Sequence, residues 1–327
     1  MEVQLTHSPN CRFCGKGPLA FQFTFEADEA LTRNLQGTTF SLAACESCGT
    51  FQVDPHPTEA LARDFFSSLD PTGTGLDPEG RKVDKGKREE ARLREYQGYV
   101  SAMGPFLPEG GAILDIGAGT GRMLSLFPDK YERIAVEPNP LAARKARDRG
   151  LDVIEDWAEN LKQPKLPLSL IIFNQSLDHL VRPDLILGRT LNWLGPGGLV
   201  LITGLINPSS LAARITGPNF RLWHPYHQIY PPREAVIQKL ASFGFETLGV
   251  HRPYFGTPFG SLPSLFKGAM TLAKAWALRG KRGVPSPPWP GNVQGFLARK
   301  ALLFAKARLK EGAMEEREAR SQLDFPG

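Results

Sequence analysis

The sequence has no long apolar run, little net charge and few cysteines. No stretch approaches the ~20 consecutive apolar residues that a membrane-spanning helix needs. Residues 1–5 lack the basic and apolar segments of a secretory signal, so we expect a cytoplasmic protein. The net charge is +5, from 39 Lys and Arg against 34 Asp and Glu, which permits an anionic partner without requiring one.

The length and composition are those of a folded protein. The chain has 327 residues, of which 41% are hydrophobic and 22% charged. This length allows roughly two domains and a sizeable core, and the composition argues against wholesale disorder.

All four cysteines lie in two Cys-x-x-Cys pairs before residue 49, Cys11 with Cys14 and Cys45 with Cys48. Each pair is followed by glycine, which permits a tight turn that aims two sulfurs inward. Four thiolates suit a closed tetrahedral zinc site that stabilises the fold and does not activate water. Two redox pairs are the alternative, but a thioredoxin-like motif occurs once and beside a βαβ unit, whereas residues 21–25 and 39–42 alternate like strands.

A short helix and a joint follow the predicted zinc ribbon. The Pro-x-Pro-Thr-Glu segment of residues 55–59 is typical of a helix start, so we assign residues 1–69 to the ribbon and this helix. Residues 70–86 are rich in Gly, Pro, Asp and Lys, which predicts a flexible linker or a lid.

The middle of the chain predicts a nucleotide-binding turn. Residues 112–116 form a short buried strand, and the small residues 117–121 are expected to open a helix and let backbone amides approach a ligand. A dinucleotide fingerprint would place a third glycine where Arg122 stands, so NAD is disfavoured.

Acidic residues follow the next two predicted strands. Residues 133–137 end in Glu137, the position from which a carboxylate binds ribose hydroxyls. Residues 152–155 lead into Asp156 and Trp157, which offer a carboxylate to an adenine amino group and an indole face to its ring. Strands at 168–173 and 198–202 end at the same edge, so the pattern predicts an α/β fold that binds an adenosine-like ligand there.

These motifs together resemble the class I S-adenosylmethionine-dependent methyltransferases. They are ILDIGAGTGR at 113–122, VEPNP at 136–140, EDWAENL at 155–161, IIFNQSLDHL at 171–180 and LGPGGLVLITG at 194–204. They cover about the central third of the chain, in the family's order. The ribbon and residues 207–246 resemble, more narrowly, bacterial zinc-ribbon methyltransferases often associated with sugar or polysaccharide modification.

The resemblance implies a Rossmann-like sheet with an antiparallel final strand, preceded by a small zinc ribbon with four cysteine ligands. It also implies S-adenosyl-L-methionine and structural Zn²⁺ as cofactors. The implied cofactor-binding residues are Asp115, Gly117, Ala118, Gly119 and Gly121 at the methionine portion, Glu137 and Pro138 at the ribose, Asp156 and Trp157 at the adenine, and Asn174 near the methyl group. Trp157 as a core aromatic and Asn174 as a turn residue are the structural alternatives. Asp178 departs from the family, many members of which carry Glu at this position.

Three histidines could act in catalysis. Histidine titrates near neutrality, which suits a general base. For His179 a catalytic and a structural role stand equally open, while His224 and His227 are expected to contact substrate. Aromatic residues that could form a pocket flank this pair: Trp223, Tyr226 and Tyr230. No third ligand stands at a recognisable spacing, so the sequence does not predict a zinc site among the histidines.

The carboxy-terminal third completes the predicted methyltransferase domain, residues 87–310. Residues 231–246 predict a helix, 246–251 a strand and 292–300 the final antiparallel strand. An insertion at 256–291 contains a basic amphipathic segment, 262–282, that could lie on anionic lipid or cover the substrate pocket. Residues 311–327 form a charged tail.

The sequence thus favours a methyltransferase that acts on a small-molecule or carbohydrate-linked acceptor. The alternatives are an RNA methyltransferase whose zinc ribbon recognises RNA and a catalytically silent cofactor-binding protein.

Overall fold

The computed structural model describes residues 5–26, 35, 38–69, 85–165, 167–252, 261–278 and 286–301. The predicted linker at 70–86 lies outside the described residues except for its last two positions, and the predicted tail at 311–327 lies wholly outside them.

The amino-terminal part of the described chain, which we call the ribbon, consists of strands and one helix. They are β1 (Leu5–Thr6), β2 (Leu19–Glu26), β3 (Thr39–Cys45), β4 (Phe51–Val53), β5 (His56–Pro57) and α1 (Glu59–Ser68). Thr58 begins α1, because its hydroxyl accepts a hydrogen bond from the backbone N–H of Leu61. β2 and β3 pair antiparallel, as do β3 and β4.

The rest of the described chain is a mixed α/β fold. Its helices are α2 (Lys85–Met103), α3 (Pro140–Arg147), α4 (Pro183–Trp193), α5 (Leu211–Thr216), α6 (Arg233–Ser242) and α7 (Leu262–Ala277). Its strands are β6 (Ala112–Ile116), β7 (Glu132–Val136), β8 (Asp152–Ile154), β9 (Leu168–Asn174), β10 (Leu194–Ile206), β11 (Ile229–Tyr230), β12 (Phe245–His251) and β13 (Val293–Lys300).

Seven of these strands form one sheet, in the order β12-β13-β10-β9-β6-β7-β8. The strands from β10 to β8 pair in parallel, whereas β13 is antiparallel to both of its neighbours. The predicted α/β sheet with an antiparallel final strand is therefore confirmed.

Both faces of this sheet are buried, which explains why its central strands are mostly apolar and do not alternate with polar residues. Leu114 and Ile171 belong to the core on the face that contains residues of α4 and α6. Ile113 and Leu170 belong to the core on the opposite face, which contains residues of α2. Neighbouring side chains thus alternate between two cores. Because the strands from β10 to β8 pair in parallel, their carboxyl ends form one edge.

One local prediction is wrong. Residues 117–121 do not open an α-helix; turns follow them, and then a single 3₁₀ turn, Leu124–Leu126. Only a few residues separate Gly121 from Pro128, and the residue before a proline is disfavoured in helical conformation, so a longer helix does not fit.

The ribbon is continuous with the larger domain. β11 pairs antiparallel with β4, Ile229 opposite Gln52 and Tyr230 opposite Phe51, and completes a four-stranded sheet. Aromatic contacts support this junction, including the stacking of Tyr226 on Phe65 of α1, with ring centroids 3.7 Å apart.

Trp223, Tyr226 and Tyr230 do not form the expected substrate pocket. Trp223 stacks on Phe51 and meets Tyr230 edge-on, and all three rings are at least 95% buried. They therefore pack the junction: Trp223 and Tyr226 contact rings of the ribbon and its helix, and Tyr230 packs against Trp223.

Candidate active site

A cavity of about 300 Å³ opens where the parallel strands end. Its walls come from the loops after β6, β7, β8 and β9 and from α1. The lining includes six residues predicted from the sequence: Gly117, Gly119, Glu137, Pro138, Trp157 and His179. Ligands of open α/β sheets bind at this edge.

The glycine loop after β6 is held against the end of β7. The backbone N–H groups of Gly117 and Ala118 both donate to the carbonyl of Val136. Gly117 has φ of 76°, and a Cβ there would lie 2.6 Å from Cβ of Ser176, so only glycine fits. The loop therefore brings main chain, without side chains, to the cavity wall.

Glu137 follows β7, and its carboxylate fixes two loops. Its Oε2 accepts from the Gly119 N–H at 2.7 Å, and its Oε1 accepts from the Asn139 N–H at 2.8 Å. Burial raises the pKa of Glu137, while these two hydrogen bonds act in the opposite direction.

Asp115 lies within β6, beneath the cavity wall. The side chain is fully buried, and its Oδ1 has no hydrogen-bond partner within the described part of the chain. Burial, and second the charge of Glu137, raise the pKa of Asp115 to about 7. A buried carboxyl with an unpaired oxygen fits a cationic group bound nearby.

Trp157 lines the cavity, whereas Asp156 does not. The guanidinium of Arg63, from α1, lies 4.7 Å from the Trp157 ring centroid. Asp156 Oδ1 accepts from the Trp157 N–H and from the side chain of Asn160, so that oxygen stabilises the turn after β8.

Four other predicted cofactor residues also lie outside the cavity lining: Asp115, Ala118, Gly121 and Asn174. The Asn174 amide is engaged on both sides, because it donates to the Tyr96 hydroxyl at 3.1 Å and accepts from the Thr203 hydroxyl at 2.7 Å. Asn174 is the last residue of β9, and these two bonds tie its side chain to α2 and β10.

Helix α1 forms a wall of the cavity. Ala62, Phe66 and Leu69 line it, and the Phe66 ring meets the His179 ring edge-on at 5.0 Å. Asn139 fastens the end of this helix, since its side-chain amide donates to three carbonyls there, those of Phe66, Ser67 and Leu69. Its Oδ1 accepts from the Ala142 N–H and so also caps α3.

The three predicted catalytic histidines come together, but only His179 reaches the cavity. The His227 ring lies 4.5 Å from the His179 ring and 5.2 Å from the His224 ring. Burial, and second the neighbouring His179, lower the pKa of His224 to about 3 and that of His227 well below its ordinary value. Both rings are therefore neutral at pH 7.

Asp178 joins this histidine cluster from the loop after β9. Its Oδ2 lies 3.9 Å from Nδ1 of His227, and burial raises the pKa of its carboxyl. Asp178, His179 and His227 each place one potential ligand atom within 4.8 Å of the others.

The four cysteines also converge. Cys11 Sγ lies 3.8 Å from Cys48 Sγ, and Cys14 Sγ lies 3.6 Å from Cys45 Sγ. Backbone N–H groups of Phe13 and Lys16 point at these sulfurs. All four thiols are free, so no disulfide competes with metal binding.

Residues 88–250 match the family model described as a methyltransferase domain. No curated protein sequence matches the chain. None of the described helices is long and apolar enough to cross a membrane.

Solved structures with a similar arrangement include three methyltransferases. One from Thermotoga maritima is 21% identical over 66% of this chain and 93% of its own, with a TM-score of 0.44. One from Archaeoglobus fulgidus is 19% identical over 65% and 97%, with a TM-score of 0.44. The magnesium protoporphyrin IX methyltransferase of Synechocystis, solved with S-adenosylhomocysteine, is 11% identical over 75% and 100%, with a TM-score of 0.47.

Proposed function

Residues 88–250 form an S-adenosylmethionine-dependent methyltransferase domain, and we propose that it methylates a small-molecule or carbohydrate-linked acceptor. The observation that carries this proposal is the wall that α1 adds to the cavity. Phe66 and Leu69 narrow the space beside His179, so an acceptor has to be small or to enter as a slender group.

Residues that line the cavity, and Asp115 beneath its wall, fit the parts of the cofactor. When bound, S-adenosylmethionine supplies a methyl group on a positively charged sulfur. The unpaired buried oxygen of Asp115 suits the cationic methionine end, Glu137 suits the ribose hydroxyls, and Trp157 suits the adenine ring.

His179 is placed to take a proton from the acceptor. Its Nδ1 lies 3.3 Å from the carbonyl oxygen of Tyr226. An N–H on Nδ1 would donate to that carbonyl, which leaves Nε2 as the proton acceptor. Transfer of the methyl group to the acceptor requires that the bound acceptor displace water from this part of the cavity.

The charge distribution of the ribbon argues against RNA as the acceptor. Within residues 5–26 and 38–57 the Lys and Arg residues are Arg12 and Lys16. Arg12 donates to Gln228 and to the carbonyl of Val181, so its charge is used inside the protein. Phosphate binding depends on several accessible cations.

We also propose that the cysteine cluster holds a structural zinc ion. Zinc–sulfur bonds of about 2.3 Å in a tetrahedron separate the sulfurs by about 3.8 Å, which agrees with the two measured separations. A closed site of four thiolates offers no open position for substrate, so the metal would stabilise β3, β4 and, through them, β11.

Helix α7 is a proposed contact for an anionic membrane surface. The side chains of Leu262, Phe266, Met270 and Trp276 are between 61% and 74% exposed. Lys267 and Lys274 lie on the same helix. Exposed apolar side chains with neighbouring lysines suit peripheral binding to anionic lipid.

The test of the proposed function is labelling of acceptors. The zinc-loaded protein is incubated with methyl-labelled S-adenosylmethionine and host extract separated into RNA, lipid, glycan and small-molecule fractions. We expect label in the glycan or small-molecule fraction and its loss with Gly117→Val, which fills the loop; Gly98→Ala, at a position with open space around it, is the control. Label confined to RNA and removed by ribonuclease would contradict the proposal, as would no binding of S-adenosylmethionine at millimolar concentration.

A further inference from the structure

The cluster of Asp178, His179 and His227 contains buried polar atoms without partners. Asp178 Oδ1 and His227 Nδ1 are buried and have no hydrogen-bond partner among the residues that the structure describes. Buried polar atoms normally have a partner, and each one left without costs free energy. Two such atoms, in side chains that approach to 3.9 Å between Asp178 Oδ2 and His227 Nδ1, indicate a bound group that both residues contact.

The orientation of His227 makes this indication specific. His227 Nδ1 is a ring nitrogen without a partner. With the ring proton on Nε2, Nδ1 presents a lone pair. It faces the Asp178 carboxylate across 3.9 Å, too far for a hydrogen bond.

The separations suit a shared cation. Bonds of about 2.0–2.2 Å from a metal to nitrogen and oxygen place two ligand atoms about 3–4 Å apart. Asp178, His179 and His227 supply one carboxylate and two imidazoles within 4.8 Å of one another. His179 Nδ1 lies 3.3 Å from the carbonyl oxygen of Tyr226. A contact of this kind commonly orients a histidine ligand and leaves its Nε2 free to bind the metal.

From this geometry we propose that Asp178, His179 and His227 bind one divalent first-row transition metal, separate from the cysteine site. Two imidazoles and a carboxylate favour ions such as Mn²⁺, Co²⁺, Fe²⁺ or Zn²⁺ over Ca²⁺. His179 connects the site to the cavity, and three protein ligands leave open positions for an acceptor oxygen.

Metal binding at this site does not depend on the proposed function. The role of the metal in methyl transfer does rest on the proposed function. An acceptor hydroxyl bound through its oxygen would have a lowered pKa and lose its proton to water. The oxygen–carbon bond then forms as the carbon–sulfur bond of the methyl donor breaks, and S-adenosylhomocysteine leaves. In this arrangement His179 positions the acceptor through the metal in place of accepting its proton.

Manganese binding to the full chain tests the site, with zinc limited to the one equivalent per chain that the four thiolates take first. Mn²⁺ prefers oxygen and nitrogen ligands, so it does not displace zinc from four thiolates. We expect electron paramagnetic resonance to report one bound Mn²⁺ per chain, without cofactor or acceptor. Asp178→Asn and His227→Gln should each weaken this binding by about tenfold or more.

His224→Asn is the matched control, because His224 neighbours His227 but lies outside the three-ligand set. It should bind Mn²⁺ as the wild type does. The absence of both Mn²⁺ and Co²⁺ binding in the wild type would overturn the proposal. Unchanged binding in Asp178→Asn and His227→Gln, or equal loss in His224→Asn, would do the same.

Calorimetric binding of S-adenosylmethionine, measured on the same samples, separates this inference from the proposed function. Loss of cofactor binding with Mn²⁺ binding intact contradicts the methyltransferase proposal alone. Loss of Mn²⁺ binding with cofactor binding intact contradicts the metal site alone. Thermal melts of each variant identify any that fails to fold, and Asp178→Asn, which preserves side-chain shape, is the decisive one.

Discussion

Asn139 is the residue whose replacement tests most directly whether α1 belongs to the cofactor site. Its amide donates to the carbonyls of Phe66, Ser67 and Leu69 at 2.9–3.1 Å, and its Oδ1 caps α3. Asn139→Ala removes both functions, whereas Asn139→Asp keeps the cap and loses only the donors. The pair therefore separates the attachment of α1 from the stability of α3.

The expected magnitudes follow from these bonds. A lost N-cap costs about 1 kcal/mol, and two lost amide donors cost about 2 kcal/mol together. Asn139→Ala should lower the free energy of unfolding by about 3 kcal/mol. Asn139→Asp should lower it by about 2 kcal/mol, and more if the carboxylate stays charged opposite the carbonyl oxygens.

Cofactor affinity is the decisive readout. If a docked α1 completes the cavity, weakening its attachment by about 2 kcal/mol raises the Kd for S-adenosylmethionine by up to about thirtyfold. Urea denaturation gives the stability and isothermal titration calorimetry gives the Kd. Ser210→Ala removes the cap of α5. It should lower the free energy of unfolding about as much as loss of the α3 cap does, without a change in the Kd for S-adenosylmethionine. Wild-type cofactor affinity in Asn139→Asp would refute the role of α1.

Three further predictions concern the buried carboxyl, the cysteine cluster and α7. The pKa of Asp115 is raised from 3.8 to about 7 in the fold. The cofactor-free protein should therefore lose stability as pH rises from about 4 to about 7, by up to about 4 kcal/mol. Urea denaturation at several pH values should show that Asp115→Asn flattens this dependence of stability on pH, and an equal dependence in both proteins would contradict the prediction. Cys45→Ser should reduce the zinc content, measured by mass spectrometry, by one ion per chain. It should also lower the melting temperature, because the metal then no longer holds β3. Full zinc content in the variant would contradict the proposed zinc site. The double variant Phe266→Ser/Trp276→Ser should cosediment less with phosphatidylserine vesicles than the wild type does. The control Leu211→Ser, at an exposed leucine of α5, should cosediment as the wild type does. Unchanged vesicle binding in the double variant would show that α7 is not the membrane contact.

The sequence by itself determined the elements whose signals are local. Continuous apolar runs predicted the central strands β6 and β9, because strands covered on both faces carry no polar alternation. The acidic residue after β7 and the small residues after β6 marked the binding edge, since parallel strands end at one side of their sheet. The spacing of Cys11, Cys14, Cys45 and Cys48 predicted a cluster that the structure contains.

Only the tertiary structure decided how distant segments meet at the site. α1 forms a cavity wall because Asn139, far along the chain, holds its last carbonyls. Asp178 meets His227 because the loop after β9 packs against the loop before β11, where the Gln228 N–H donates to the Asp178 carbonyl. Neither contact has a fixed spacing in the chain, because side-chain periodicity and turn chemistry act over a few residues while packing of the whole fold sets these distances.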